Sequence, residues 1–125
     1  MSEATKAFFE SLAAREYEPL LHACSGTLRF DLKGRGGVEH WFVRVTKGDV
    51  AVSHRRSKAD CVVRVDEGTF DRVVSGGMNA IAAALRGEIA IEGELPLIIA
   101  FQRLFPGPSA SGERRSKAGD ARRRR

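Results

Sequence analysis

The chain is poor in the residues from which catalytic and metal centres are built. Its 125 residues include two cysteines, three histidines, one tryptophan and one tyrosine. Cys24 and Cys61 lie far apart, each beside apolar residues. They read as packed free thiols of a reducing compartment, not as a disulfide framework or a C-x-x-C site. His22, His40 and His54 stand apart from one another, without HxxxH or HExxH spacing, so neither a metal nor a cofactor is expected. Ser75 in "VSGG" and Ser53 beside His54 lack the G-x-S-x-G frame of a nucleophile elbow. Cys61 falls in the middle of a strand pattern, where a thiol packs and does not attack. The acidic neighbours Asp66 and Glu67, and Glu92 and Glu94, fall at element ends and read as solvated caps. No apolar run approaches the length of a membrane span, and "MSEATKAFFESL" has acids where a leader would be basic. The expectation is a cytoplasmic protein without enzymatic activity.

Charge of one sign is also scarce outside one segment. Lys and Arg number 21 against 16 Asp and Glu, a net charge of +5. The whole excess comes from Arg114, Arg115, Lys117 and Arg122 to Arg125, opposed by Glu113 and Asp120, so the rest of the chain is balanced. Two parts are expected: one domain over 1–107 and a disordered basic tail over 108–125, too poor in apolar residues to offset its chain entropy. Such a tail reads as a solvated charge run with incidental affinity for an anionic membrane surface or nucleic acid, and no aromatic side chains stand in it to stack on bases.

What is present is periodicity. Ser2 is placed to cap a helix carrying Ala7, Phe8, Leu12 and Ala13. "EYEPLLHACSGT" restarts a helix at Pro19 and ends it at Gly26. In "TLRFDLKG", Leu28, Phe30 and Leu32 alternate with polar residues, as in a half-buried strand. "VEHWFVRVTKG" makes a second strand with Trp41, Val43 and Val45 on one face. "VAVSH" and "CVVRVD" make a third and fourth. Helical spacing returns in "EGTFDRVVSGG" and in "MNAIAAALRG", where Asn79 is the cap. "SGGMNA" reads as the helix-breaking turn between them. "EIAIEGE" is a fifth strand and "LPLIIAFQRLFPG" a last helix, started by Pro96. The order α, βββ, β, αα, β, α predicts a mostly antiparallel sheet whose apolar face is covered by helices.

The last helix carries more apolar surface than one face needs. Leu97, Ile98, Phe101, Leu104 and Phe105 fall within about 120° of a helical wheel. Ile99 falls outside that stripe, between Gln102 and Arg103 on the side that should be wet. The preceding helix is lightly built, with Ala80, Ala82, Ala83 and Ala84 around Ile81 and Leu85. Small side chains beside large apolar ones are compatible with close helix packing or with a cavity that a ligand fills.

The words "GTLRFDLKG", "HWFVRVTKGDVAV", "ADCVVRVDEGTFDRVVSGGMNAIAAALRGEIAIEGE" and "FQRLFPG", in that order, give the chain a resemblance to the sterol carrier protein type two family, over roughly residues 26 to 107. The resemblance implies an α/β (α+β) fold, a five-stranded, mostly antiparallel sheet with helices on one face enclosing an apolar tunnel. It implies non-enzymatic binding and transfer of a fatty acid, fatty acyl-CoA or sterol-like lipid. Positions matching the tunnel wall are Phe30, Trp41, Phe70, Val73, Val74, Met78, Ile81, Leu85 and Ile91. Leu97, Ile98, Phe101, Leu104 and Phe105 would form a lid, hinged through Gly93 and Pro96. The peroxisomal members end in a receptor-read tripeptide that "RRRR" does not match. The competing expectation is a tightly packed interaction module that dimerises, or docks to an enzyme, through the same apolar helix.

Overall fold

The computed structural model describes residues 3 to 106. Ser2 and the segment 108 to 125 lie outside the described residues. The chain begins with α1 (Glu3–Arg15), followed by a 3-10 turn at Pro19–Leu21, where the sequence suggests a restarted helix. Glu18 caps that turn: its carboxylate accepts from the Leu20 N–H at 3.0 Å, and a pair with Arg15 holds it. A turn of three residues satisfies its own donors through one buried acid, which leaves no need for a longer helix. The strands are β1 (Ser25–Gly34), β2 (Gly37–Thr46), β3 (Asp49–Ser53), β4 (Cys61–Asp66) and β5 (Ile89–Gly93). Between β4 and β5 come α2 (Glu67–Val74) and α3 (Ala80–Leu85), and the described chain closes with α4 (Leu95–Phe101) and a 3-10 turn over Gln102–Leu104.

The sheet order is β3-β2-β1-β4-β5. β1 pairs antiparallel with β2 and parallel with β4, while β2–β3 and β4–β5 are antiparallel. The parallel pair requires a crossover, which residues 54 to 60 supply along the outer face; there Arg29 Nη1 donates to the Ser57 carbonyl at 3.1 Å. On the inner face the alternating pattern puts Leu28, Phe30 and Leu32 beside Trp41, Val43 and Val45, all buried. Burial of each such side chain is worth about 1.5–3 kcal/mol.

The helices cover that inner face. α1 presents Thr5, Phe9 and Leu12 inward; of the expected face Leu12 is buried and Phe8 half-buried, while Ala7 and Ala13 are exposed. Phe9 is fully buried. Its ring stacks on Trp41, centroids 4.5 Å apart, and on Phe70 of α2 at 5.7 Å. Thr5 Oγ1 donates to Asp71 Oδ1 at 2.5 Å, tying α1 to α2. Phe30, Phe70 and Phe101 complete a close-packed aromatic block. No helix among the described residues is long and apolar enough to cross a membrane.

Candidate functional site

The aromatic block fills only one end of the space between sheet and helices. At the other end α3 and α4 stand over β4 and β5, and a cavity of about 430 Å³ separates them. Local sequence explains the gap. The Asn79 side chain accepts from the Ala82 N–H at 2.9 Å and starts α3, whose six residues give it barely two turns. Ala80 and Ala84, one turn apart, face the cavity and reach into it by a methyl group only. Ile81 and Leu85, the next pair round, stand at its rim. On α4, Leu95, Ile98, Ile99 and then Gln102 follow the same i, i+3, i+4, i+7 spacing on the cavity side. Val63, Ile89 and Ile91 form the strand wall, with Phe30, Val73 and Phe105 at the inner end.

Gln102 is the one polar side chain of this lining. The cavity is open: Leu85 is 84% exposed, and Ile99, Leu95 and Ile81 are about half exposed at its mouth. Its size lies within the range of roughly 300–1,000 Å³ common to small-molecule sites. No nucleophile, carboxylate or imidazole lines it, and no group of three or more His, Cys, Asp or Glu among the described residues is placed to hold a metal ion. Such a surface can desolvate an apolar chain and hold one end of it in water, and it offers no group for bond-making.

Of the positions expected at a tunnel wall or lid, Phe30, Val73, Ile81, Leu85, Ile91, Ile98 and Phe105 line the cavity. The others lie elsewhere. Trp41 is buried between Phe9 and His54, and its indole N–H has no hydrogen-bond partner among the described residues. Phe70 and Phe101 belong to the aromatic block, because the Phe8 and Phe9 rings of α1 fill the space those positions would have bordered. Leu97 packs over Gly26, where a Cβ would meet its Cδ1 at 2.7 Å. Val74, Met78 and Leu104 are partly buried against the core. The expected lid is therefore divided: Leu97 and Phe101 anchor α4, and Ile98 and Phe105 face the cavity. Val63, Ala80, Ala84, Ile89, Leu95, Ile99 and Gln102 join the lining without having been singled out as wall positions.

A larger recess of about 800 Å³ lies on the other side of the sheet. Lys33, Arg56, Arg64 and Arg72 line it together with Asp31, Asp66 and Glu88. At its base the Asp31 carboxylate accepts from Arg29 Nε at 3.0 Å and Nη2 at 3.1 Å, with His40 Nδ1 at 2.6 Å. Burial would raise the Asp31 carboxyl, but these partners outweigh it and hold the group below its ordinary value. Burial, reinforced by Asp60 and Glu94, pushes the Cys61 thiol up, as befits an inert packed sulfur. The recess is lined mostly by charged side chains, whereas the lining of the 430 Å³ cavity is apolar but for Gln102.

The model of the SCP-2 sterol transfer family matches residues 6–106. Sterol carrier protein 2 of Homo sapiens is 31% identical over 98 residues, 76% of this chain and 18% of that protein. Hydroxysteroid dehydrogenase-like protein 2 of Xenopus tropicalis is 26% identical over 99 residues, 78% of this chain and 24% of that protein. The chain thus spans a quarter or less of the curated relatives it matches. Among solved structures, palmitated SCP2L2 from Aedes aegypti superposes with a TM-score of 0.62 at 20% identity, covering 83% of this chain and 94% of that one.

Proposed function

Because this chain belongs to the SCP-2 sterol transfer family, we propose that its domain, residues 1–107, binds a lipid with a long apolar chain in the cavity between β4, β5, α3 and α4. The observation that carries the reading is the lining itself: thirteen of its fourteen residues are apolar, and Gln102 is the exception. Burial of apolar surface supplies about 25 cal/mol per Å², enough for micromolar affinity once ordering costs are met. With no charged side chain inside, the carboxylate or headgroup stays at the mouth, near Gln102 and the exposed Arg103. A flexible acyl chain suits an open trough lined by two alanines better than a rigid sterol does. The palmitated state of the Aedes aegypti relative supports that choice. The domain acts by holding and releasing cargo, without chemistry on it.

The test is extraction of the purified protein with organic solvent, together with titration of a displaceable fluorescent fatty acid. Wild type is expected to bind it, and Ala84→Trp, which fills the trough from α3, to bind at least about tenfold more weakly with unchanged circular dichroism. Failure of wild type to bind at any soluble concentration would sink the proposal. Equal affinity of the two proteins would move the site elsewhere.

A further inference from the structure

We propose that the recess on the outer face of the sheet, about 800 Å³ in volume, binds a small sugar or polyol that carries two phosphate groups. The ground is a set of positive charges left without partners. Lys33, Arg56, Arg64 and Arg72 line the recess, with the acids Asp31, Asp66 and Glu88. Two of those acids are neutralised from outside it. Arg29 holds both oxygens of Asp31, and Arg86 Nε donates to Glu88 at 2.9 Å; neither arginine is part of the lining. Arg64 is drawn away to Glu92, also at 2.9 Å. The side chains of Lys33, Arg56 and Arg72 make no hydrogen bond or ion pair among the described residues. Arg72 acts on Glu88 only from beyond pairing distance. Lys33 stands opposite Asp66 in the β1–β4 register, yet the two do not pair. Three cations thus remain against one acid. They come from β1, from the crossover 54–60 and from the last turn of α2. Like charges gathered from three elements repel, and an anion placed among them relieves the repulsion. Phosphate suits them, because a guanidinium offers its oxygens paired donors and an ammonium adds a point charge. The rest of the lining selects the body that carries the phosphates. The Asp66 carboxylate makes no cap hydrogen bond; it repels a bare anion and accepts from hydroxyl groups, as the Thr69 hydroxyl beside it also can. No Phe, Tyr or Trp among the described residues lines the recess to stack on a nucleobase. The inference does not rest on the lipid-binding reading: Ala90 of β5 lines the recess, while Ile89 and Ile91 turn the other way and line the trough.

The experiment is calorimetric titration of the full-length chain with fructose bisphosphate at about 0.1 M salt, with fructose and inorganic pyrophosphate alongside. The bisphosphate is expected to bind with a Kd below about 1 mM, more tightly than pyrophosphate, and fructose to give no signal. K33Q/R56Q is expected to bind it at least about tenfold more weakly. Without ligand that variant should melt no lower than wild type, since neither side chain has a partner to lose. R35Q/R44Q removes the same charge from two exposed positions outside the recess and is expected to bind as wild type does. Equal affinity of K33Q/R56Q and wild type would overturn the proposal, because the seven basic residues beyond Pro106 are common to both and would then hold the anion. Equal losses in the two double variants would also overturn it, by reducing the effect to net charge. A Tm of K33Q/R56Q well below that of wild type would do the same, by showing that the two cations serve the fold. Pyrophosphate bound as tightly as the bisphosphate would overturn the choice of a sugar.

Discussion

Asp31 is 8% exposed on the outer face of the sheet, yet two arginines and a histidine converge on its carboxylate. Its folded pKa lies below the ordinary 3.8. The stability it contributes is therefore fully present above that value and is lost as pH falls through the lower folded one. Asp31→Asn keeps the shape and removes the charge, leaving Arg29 and His40 without their anionic partner and with one acceptor oxygen where there were two. We expect a loss of about 3 kcal/mol at neutral pH, read from urea unfolding. The gap to wild type should begin to narrow below about pH 4, where the unfolded carboxyl protonates, and close only once pH has fallen through the lower folded value. A gap of the same size at pH 3 would mean that something other than the ion pairs is responsible. The sequence shows Asp31 only as one of three polar residues alternating with Leu28, Phe30 and Leu32. Its burial is imposed from afar, by the crossover 54–60 and by Arg64 on β4, and no local pattern sets it apart from Arg29 or Lys33.

Strands and helices were legible at the element scale because alternation and helical spacing are properties of single segments. Depth is not. Trp41, Phe70 and Phe101 point inward as their periods demand, but α1 brings Phe8 and Phe9 against that part of the sheet and closes it. A helical wheel gives the direction of a side chain and says nothing of what meets it. Two features of the sequence did point to the open end: the alanines of α3, and Ile99 on the side of α4 that should be polar. Ala80, Ala84 and Ile99 all line the cavity. The joint between β5 and α4 depends on Gly93, at φ +103°, where a Cβ would lie 2.1 Å from the Asp60 carbonyl oxygen. That oxygen also accepts from the Glu94 N–H at 2.8 Å, so it has no room to move aside. Gly93→Ala should cost about 3 kcal/mol or more in urea unfolding and displace α4. Gly36→Ala, with nothing within 4 Å of its new methyl group, should cost almost nothing. If the two variants unfold alike, the joint at Gly93 yields more easily than its geometry says.

Over the whole molecule, a cavity open in the folded state and absent from the unfolded one couples cargo to stability. Free ligand at a hundred times its Kd should add about 2.7 kcal/mol, and Tm should rise by on the order of 10 °C for a domain of this size. Ala84→Trp should show almost none of that rise, because its melting no longer depends on cargo. A ligand that raises the Tm of both proteins equally would be acting outside the cavity.

The aromatic block and the alanine-lined trough are made from different side chains. The first joins α1 and α2 to β1 and β2; the second borrows little from it beyond Phe30, Val73 and Phe105. If the trough holds cargo as proposed, folding and cargo choice rest on largely separate sets of side chains. A lineage can lengthen, shorten or reshape what it carries by exchanging a few residues of α3 and α4, while the architecture that it passes on stays the same.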